Sequence, residues 1–110
     1  MGILVITCFK PKEGKDIELL AVIKDHMPVL RKEDLVTDRE CYVMKSKENF
    51  ILEVFEWKSE EAINNAHKNV NVMKLWKRFE EVCEYKTLSE IEESKSMFPG
   101  FEPVDVLKEL

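Results

Sequence analysis

Residues 50–79 read FILEVFEWKSEEAINNAHKNVNVMKLWKRF, and within this stretch a strand pattern gives way to a helical one. From Phe50 to Trp57 apolar residues occur at both odd and even positions, which predicts a strand that is buried on both faces. Ser59 is a good helix N-cap and two glutamates follow it, so a short helix is predicted from there to about Lys68. The polar residues 69–71 predict a break before a second helix.

That second helix has the clearest amphipathic pattern in the chain. Its apolar residues fall within about 120° of arc on a helical wheel, which is typical of a helix that packs by one side. They are Val72, Leu75, Trp76, Phe79, Val82 and Cys83.

The N-terminal half contains a strand, a helix and a second strand. Ile3 to Phe9 is an apolar run with neither a preceding basic region nor a cleavage pattern, so we expect a strand and not a signal peptide. From Lys15 the apolar period is helical, and Pro28 predicts a kink or a new turn. Residues 35–46 alternate loosely and predict the second strand.

The remaining elements complete an α+β pattern. Residues 85–88 predict a short fourth strand, and the spacing of Ser89 and Glu92 predicts a capping box that opens a last helix. The order β-α-β-β-α(α)-β-α is the ferredoxin-like βαββαβ pattern with an antiparallel sheet. We therefore expect a domain over residues 1–88, with a C-terminal helix and a Pro/Phe-rich tail over 89–110 that packs on the domain or on a dimer partner.

Composition excludes several classes of protein. The chain has 110 residues, one domain by length, and 17 basic against 22 acidic residues give a net charge of −5. This charge does not favour nucleic acid or anionic membranes as partners, and no apolar run approaches the roughly 18 residues of a membrane helix. Cys8, Cys41 and Cys83 form no CxxC pair, so we expect reduced thiols in a cytoplasmic protein and no metal site.

The first and third strands have apolar side chains on both faces, including the face that the helices do not cover. Helices can cover only one face of the sheet, so the other face of residues 3–9 and 50–57 needs a second cover. We expect that cover to be a second copy of the chain, in a homodimer with the sheets face to face.

Residues 53–62, EVFEWKSEEA, followed by Ala66-His67 and Leu75-Trp76, resemble a recurring phrase of the antibiotic biosynthesis monooxygenase domain family. The resemblance covers roughly residues 3–88 and implies a dimeric α+β barrel. The family includes cofactor-independent monooxygenases of hydroxylated polycyclic aromatics, quinol oxygenases, haem-degrading enzymes and members without established activity, so membership alone does not determine a reaction.

The haem-degrading branch can be compared residue by residue. It uses an Asn in the first strand, a Trp in the second helical region and, about ten residues later, a His that binds the iron. The matching positions here are Thr7, His67 and Lys77. A lysine does not replace a neutral imidazole ligand, and the chain has no dinucleotide motif. We therefore expect neither haem nor flavin, and no other cofactor.

His67 is the candidate catalytic residue. A histidine titrates near neutral pH and could take the proton of a phenolic substrate, whose anion could then react with dioxygen, as the resemblance implies. Trp57 and Trp76 could sandwich a planar ligand, and Phe79 and Thr7 complete the predicted substrate-binding set.

Structural alternatives remain for all these residues. His67 could instead be bonded near a helix end, and aromatic residues at strand and helix positions are commonly packing residues. His26 lies at the edge of the first helix's apolar arc, while Glu53 and Glu56 should point to opposite sheet faces. One of these glutamates could be buried, where it would need a partner.

Two functional hypotheses remain open. One is a cofactor-independent monooxygenase of a small hydroxylated aromatic, and the other is a non-catalytic dimeric module that binds a small ligand or a partner. A closed aromatic cavity reached by His67 favours the first, and a filled core favours the second.

Overall fold

The computed structural model of the chain describes residues 2–109. The main elements are β1 (Ile3–Pro11), α1 (Asp16–Lys32), β2 (Tyr42–Lys45), β3 (Ile51–Trp57), α2 (Glu60–Ala66), α3 (Val70–Val82) and β4 (Cys83–Lys86). Two 3-10 turns (Leu88–Glu90 and Glu92–Lys95), a short β5 (Glu102–Pro103) and α4 (Val106–Glu109) follow them.

The strands form one five-stranded sheet in the order β4-β1-β3-β2-β5, and every neighbouring pair is antiparallel. The predicted α+β class with an antiparallel sheet is therefore confirmed. In the register of the two central strands, Thr7 lies opposite Glu53 and Ile6 lies opposite Val54. Because side chains alternate along a strand, Thr7 and Glu53 share the face that the helices cover.

Helix boundaries follow the local capping chemistry. The Ser59 hydroxyl accepts a hydrogen bond from the backbone N–H of Ala62 at 3.1 Å, as its position before α2 predicted. The Asn69 side chain accepts from the backbone N–H groups of Asn71 and Val72, so α3 begins at the predicted break. Cys83 is extended and begins β4, so its predicted place on the α3 stripe is wrong.

The core lies between the helices and the inner sheet face. Buried residues of α1 and α3, among them Leu19, Ile23, Leu75 and Phe79, pack with Phe9 and Ile51 of the sheet. A second group joins Phe55 and Trp57 to the other end of α1 and to α2. Helix α1 continues through Pro28 to Lys32 as one element.

The outer sheet face is covered at one end only. Ile91 and Phe101 of the C-terminal segment pack over Cys8, Phe50 and Leu52. At the other end Leu4 is 61% exposed and Ile6 is 47% exposed, so β1 is not buried on both faces within one chain.

The predicted second strand and last helix both differ from the structure. The second strand is limited to Tyr42–Lys45, while Val36 forms only an isolated bridge with Trp57. The capping box is made by Thr87 and Glu90 instead of Ser89 and Glu92, and it opens a 3-10 turn instead of an α-helix. Within residues 2–109, no helix combines the length and the apolar character that crossing a membrane requires.

Candidate functional site

A cavity of about 820 Å³ lies between the inner sheet face and α3, and it opens towards solvent. Most of its wall is apolar, with six aromatic side chains: Phe9, Phe55, Trp57, Trp76, Phe79 and Tyr85. A cavity of this size and character is typical of sites that bind small molecules.

The structure brings all five predicted site residues to this cavity. Trp57, Phe79 and Thr7 belong to its inner wall, Trp76 is half-buried, and His67 is exposed at the mouth. The Thr7 hydroxyl is already used, because it donates to the backbone carbonyl oxygen of Glu53 at 3.2 Å. The sequence interpretation therefore placed these residues around one space, although it did not assign their individual contacts.

His67 is the C-cap of α2, and its ring is held from two sides. Its Nδ1 atom lies 2.8 Å from the backbone carbonyl oxygen of Ile63, so Nδ1 carries the proton and donates. The Trp76 ring meets the imidazole edge to face, with centroids 5.0 Å apart. The predicted helix-end hydrogen bond is present, and Nε2 is the ring atom left for a ligand at the mouth.

A second histidine lies deeper, in contact with a buried carboxylate. His26 of α1 is 4% exposed and Glu53 of β3 is fully buried, and 2.7 Å separates His26 Nδ1 from Glu53 Oε1. Since the carboxylate accepts, the His26 proton lies on Nδ1. His26 also lines the cavity, and its buried Nε2 has no hydrogen-bond partner among the side chains of residues 2–107 or the backbone of residues 2–109.

The other Glu53 oxygen is bonded to a thiol. Cys41 Sγ lies 3.6 Å from Glu53 Oε2, and burial together with the Glu53 charge raises the pKa of Cys41 to about 12. The thiol therefore stays protonated at neutral pH and donates. Within residues 2–107, His26 is the only basic side chain bonded to the Glu53 carboxylate.

Aromatic rings enclose the His26 imidazole. Phe55 and Phe79 meet it edge to face, with centroid separations of 5.4 Å and 5.0 Å. These rings exclude water from the His26–Glu53 pair, which strengthens the electrostatic interaction between the two side chains. The arrangement can hold a proton at Nε2 and stabilise the imidazolium that results.

The sequence interpretation gave His26 and Glu53 only secondary attention. Each had a local signal, because His26 follows Val22 by one helical turn and Glu53 lies on the inner parity between Ile51 and Phe55. Their contact joins positions 27 residues apart, which no local pattern reports.

Glu56 lies on the opposite sheet face, as predicted. The Thr37 hydroxyl donates to it at 2.7 Å and Arg39 Nε donates at 3.1 Å. These two hydrogen bonds hold the pKa of Glu56 below its usual range. The residue therefore ties residues 37–39 to β3 and takes no part in the cavity.

Within residues 2–107, whose side chains the structure describes, no group of three His, Cys, Asp or Glu side chains is arranged to hold a metal ion. No protein-family model, no curated protein and no solved structure matches the chain.

Proposed function

We propose that the chain is a cofactor-independent oxygenase that removes the hydroxyl proton of a small aromatic ligand bound in the cavity. The observation that carries this proposal is the unpartnered Nε2 of His26 beside an aromatic-lined cavity, with Glu53 behind the ring. The resemblance of residues 53–76 to antibiotic biosynthesis monooxygenase domains supports the same reaction class.

The proposed chemistry begins with proton transfer. This transfer requires a ligand hydroxyl to reach the buried His26 Nε2 from the cavity, past the flanking Phe55 and Phe79 rings. Nε2 takes the proton, and Glu53 stabilises the imidazolium, as the carboxylate does in a catalytic triad. The electron-rich anion then reacts with dioxygen.

The reaction balances without a further reductant when the ring bears a CH₂ group, as in an anthrone. One oxygen atom of dioxygen forms the new carbonyl group. The other leaves as water together with the two hydrogens of the CH₂ group, so the carbon is oxidised and dioxygen is reduced. The aromatic walls of the cavity, among them Trp57 and Trp76, hold the planar rings.

The proposal extends to the fold and the assembly. The order β4-β1-β3-β2 with both crossovers helical is what a ferredoxin-like domain requires, and β5 adds an edge strand to it. We propose a dimeric α+β barrel in which the exposed Leu4 and Ile6 of two copies meet.

The alternative is a non-catalytic module that binds the same kind of ligand. Nε2 of His26 is shielded from solvent, and His67 is held by a helix-end hydrogen bond, which are both arrangements of structural histidines. Binding alone would then use the cavity as it stands.

Oxygen consumption with a panel of hydroxylated naphthoquinols and anthrones separates these possibilities. His26→Asn keeps a donor where Nδ1 faces Glu53 but removes Nε2, so we expect its rate to fall by about 10²- to 10⁴-fold. His67→Ala is the matched comparison at the mouth and should retain most of the rate.

Three results would change the assignment. If the wild type consumes oxygen no faster than buffer across the panel but still binds ligand, the protein is the non-catalytic binding module. Loss of rate in His67→Ala alone would move the base to His67. Equal rates in all three proteins would remove both histidines from the chemistry.

A further inference from the structure

The mouth of the cavity carries positive charge on an otherwise acidic chain. Lys74 and Lys77 of α3 both line it, and neither has a carboxylate within ion-pair distance among the side chains of residues 2–107. The whole chain has a net charge of −5, so the positive charge at this opening is opposite in sign to the net charge of the chain.

Glu80 is the one acidic residue of the described cavity wall. Two lysines against one glutamate give 2 − 1 = +1 with the histidines neutral. Lys12 lies outside the cavity wall, and its ammonium group donates to the backbone carbonyl oxygen of Glu80 at 2.8 Å. The mouth therefore suits a monoanion, and the lysines offer it point charges in place of the fork of an arginine.

The interior has the opposite character. Its wall is aromatic and aliphatic, and its one buried ring nitrogen without a partner belongs to His26. A ligand that satisfies both ends has an apolar body, a hydroxyl group at its inner end and an anionic group at its outer end.

We propose that the cavity binds a hydroxylated aromatic carboxylic acid, with the carboxylate at Lys74 and Lys77 and the hydroxyl towards His26. The placement of the hydroxyl rests on the proposed function, whereas the placement of the carboxylate rests on the lysines alone. A bicyclic acid fits well within a cavity of about 820 Å³.

Titration calorimetry with 6-hydroxy-2-naphthoate and 2-naphthol tests this assignment. The two probes share the ring system and the hydroxyl group, and only the first has a carboxylate at the far end. We expect the naphthoate to bind about tenfold more tightly at low salt, and the difference to shrink as salt screens the exposed lysines.

Substitutions identify the groups responsible. Lys74→Met and Lys77→Met keep the apolar stem, and each should weaken naphthoate binding by about two- to fivefold with little effect on 2-naphthol. Lys24→Met, on the exposed side of α1 and outside the cavity wall, is the matched control and should change neither affinity.

Equal affinity for both probes, no binding of either, or a preference that survives the double lysine variant would overturn the proposal. These outcomes are independent of catalysis. A naphthoate preference that depends on the lysines, without oxygen uptake by any substrate, would uphold the carboxylate site and remove the oxygenase. Oxygen uptake that depends on His26, without a naphthoate preference, would uphold the oxygenase and remove the carboxylate site.

Discussion

Phe79 and Trp76 lie three residues apart on α3 but have different surroundings. Phe79 is 1% exposed and stacks on Phe9 with ring centroids 4.9 Å apart. Trp76 is only half-buried, because one side of its ring lines the cavity and its neighbour there is the exposed His67. Trp76 packs against both buried clusters but is less buried than Phe79, so Phe79 is the more completely packed of the two.

Alanine at the two positions should separate packing from ligand binding. Phe79→Ala should lower the free energy of unfolding by about 3–5 kcal/mol, the range for deleting a fully packed aromatic ring. Trp76→Ala should lower it by only about 1–2 kcal/mol, because the half-buried ring contributes less buried apolar surface than Phe79 does. The affinity for the ligand should fall strongly in this variant. Urea unfolding measures the first quantity and calorimetry the second. An equal loss of stability in both variants would place Trp76 in the core.

We expect the free energy of unfolding to fall at alkaline pH because of the Cys41 thiol. Burial and Glu53 raise its pKa from 9.0 to about 12, so above pH 9 the unfolded chain releases this proton before the folded chain does. The stabilising contribution is complete below pH 9 and is lost as the pH rises towards 12.

Urea unfolding of wild type and Cys41→Ser at pH 8 and pH 11 measures this contribution. Serine keeps a donor for Glu53 but does not titrate, so the free energy of unfolding should fall less between the two pH values in the variant. Parallel decreases in both proteins would show that Cys41 makes no such contribution.

Besides the pairing of β5 with β2, one carboxylate connects the C-terminal segment to the β2–β3 hairpin. Glu93 lies in the second 3-10 turn and is buried, and its Oε2 accepts a hydrogen bond from the backbone N–H of Lys47 at 2.9 Å. Ile91 and Phe101 add apolar contacts on either side of it. The segment thus closes one end of the outer sheet face.

Glu93→Ala should release this connection. The partly buried N–H of Lys47 loses its acceptor, so we expect about 1–3 kcal/mol less stability and faster proteolysis within residues 88–103. Glu92→Ala is the matched control, because Glu92 makes only a surface pair with Lys95 and should change stability by less than about 0.5 kcal/mol. Identical proteolysis of the two variants would show that Glu93 does not anchor the segment.

Across the whole molecule, the uncovered end of the outer sheet face forms a continuous apolar row. Ile6, Val54 and Tyr42 face one another on β1, β3 and β2, and Leu4 extends the row. Within the C-terminal segment, Phe98 is 88% exposed. Apolar surface of this kind is typical of a protein–protein interface.

We predict a homodimer through this face. Light scattering at micromolar concentration should give twice the chain mass for wild type and the chain mass for Ile6→Glu, because a charge would be buried in the interface. Ile17→Glu, at a site on α1 that is 67% exposed, should remain a dimer. A monomeric wild type would contradict the prediction.

Local periodicity and capping chemistry predicted most of the elements. The period of α3, the cap at Ser59, the break at residues 69–71 and the alternating faces of β3 all depend on residues within a few positions of one another. Such interactions are present in the chain whatever the rest of the fold does. The α+β class follows from that local order.

The long-range features could not be predicted in this way. The pairing of β2 with β5 and the contact of Glu93 with Lys47 depend on how distant segments dock on the sheet. The bond between His26 and Glu53 depends on the position of α1 over β3, which brings His26 Nδ1 within 2.7 Å of Glu53 Oε1. Sequence alone determined which residues face inward, because side-chain direction is local. The tertiary structure decided which of them meet, because docking a helix on a sheet sets distances between positions that share no local pattern.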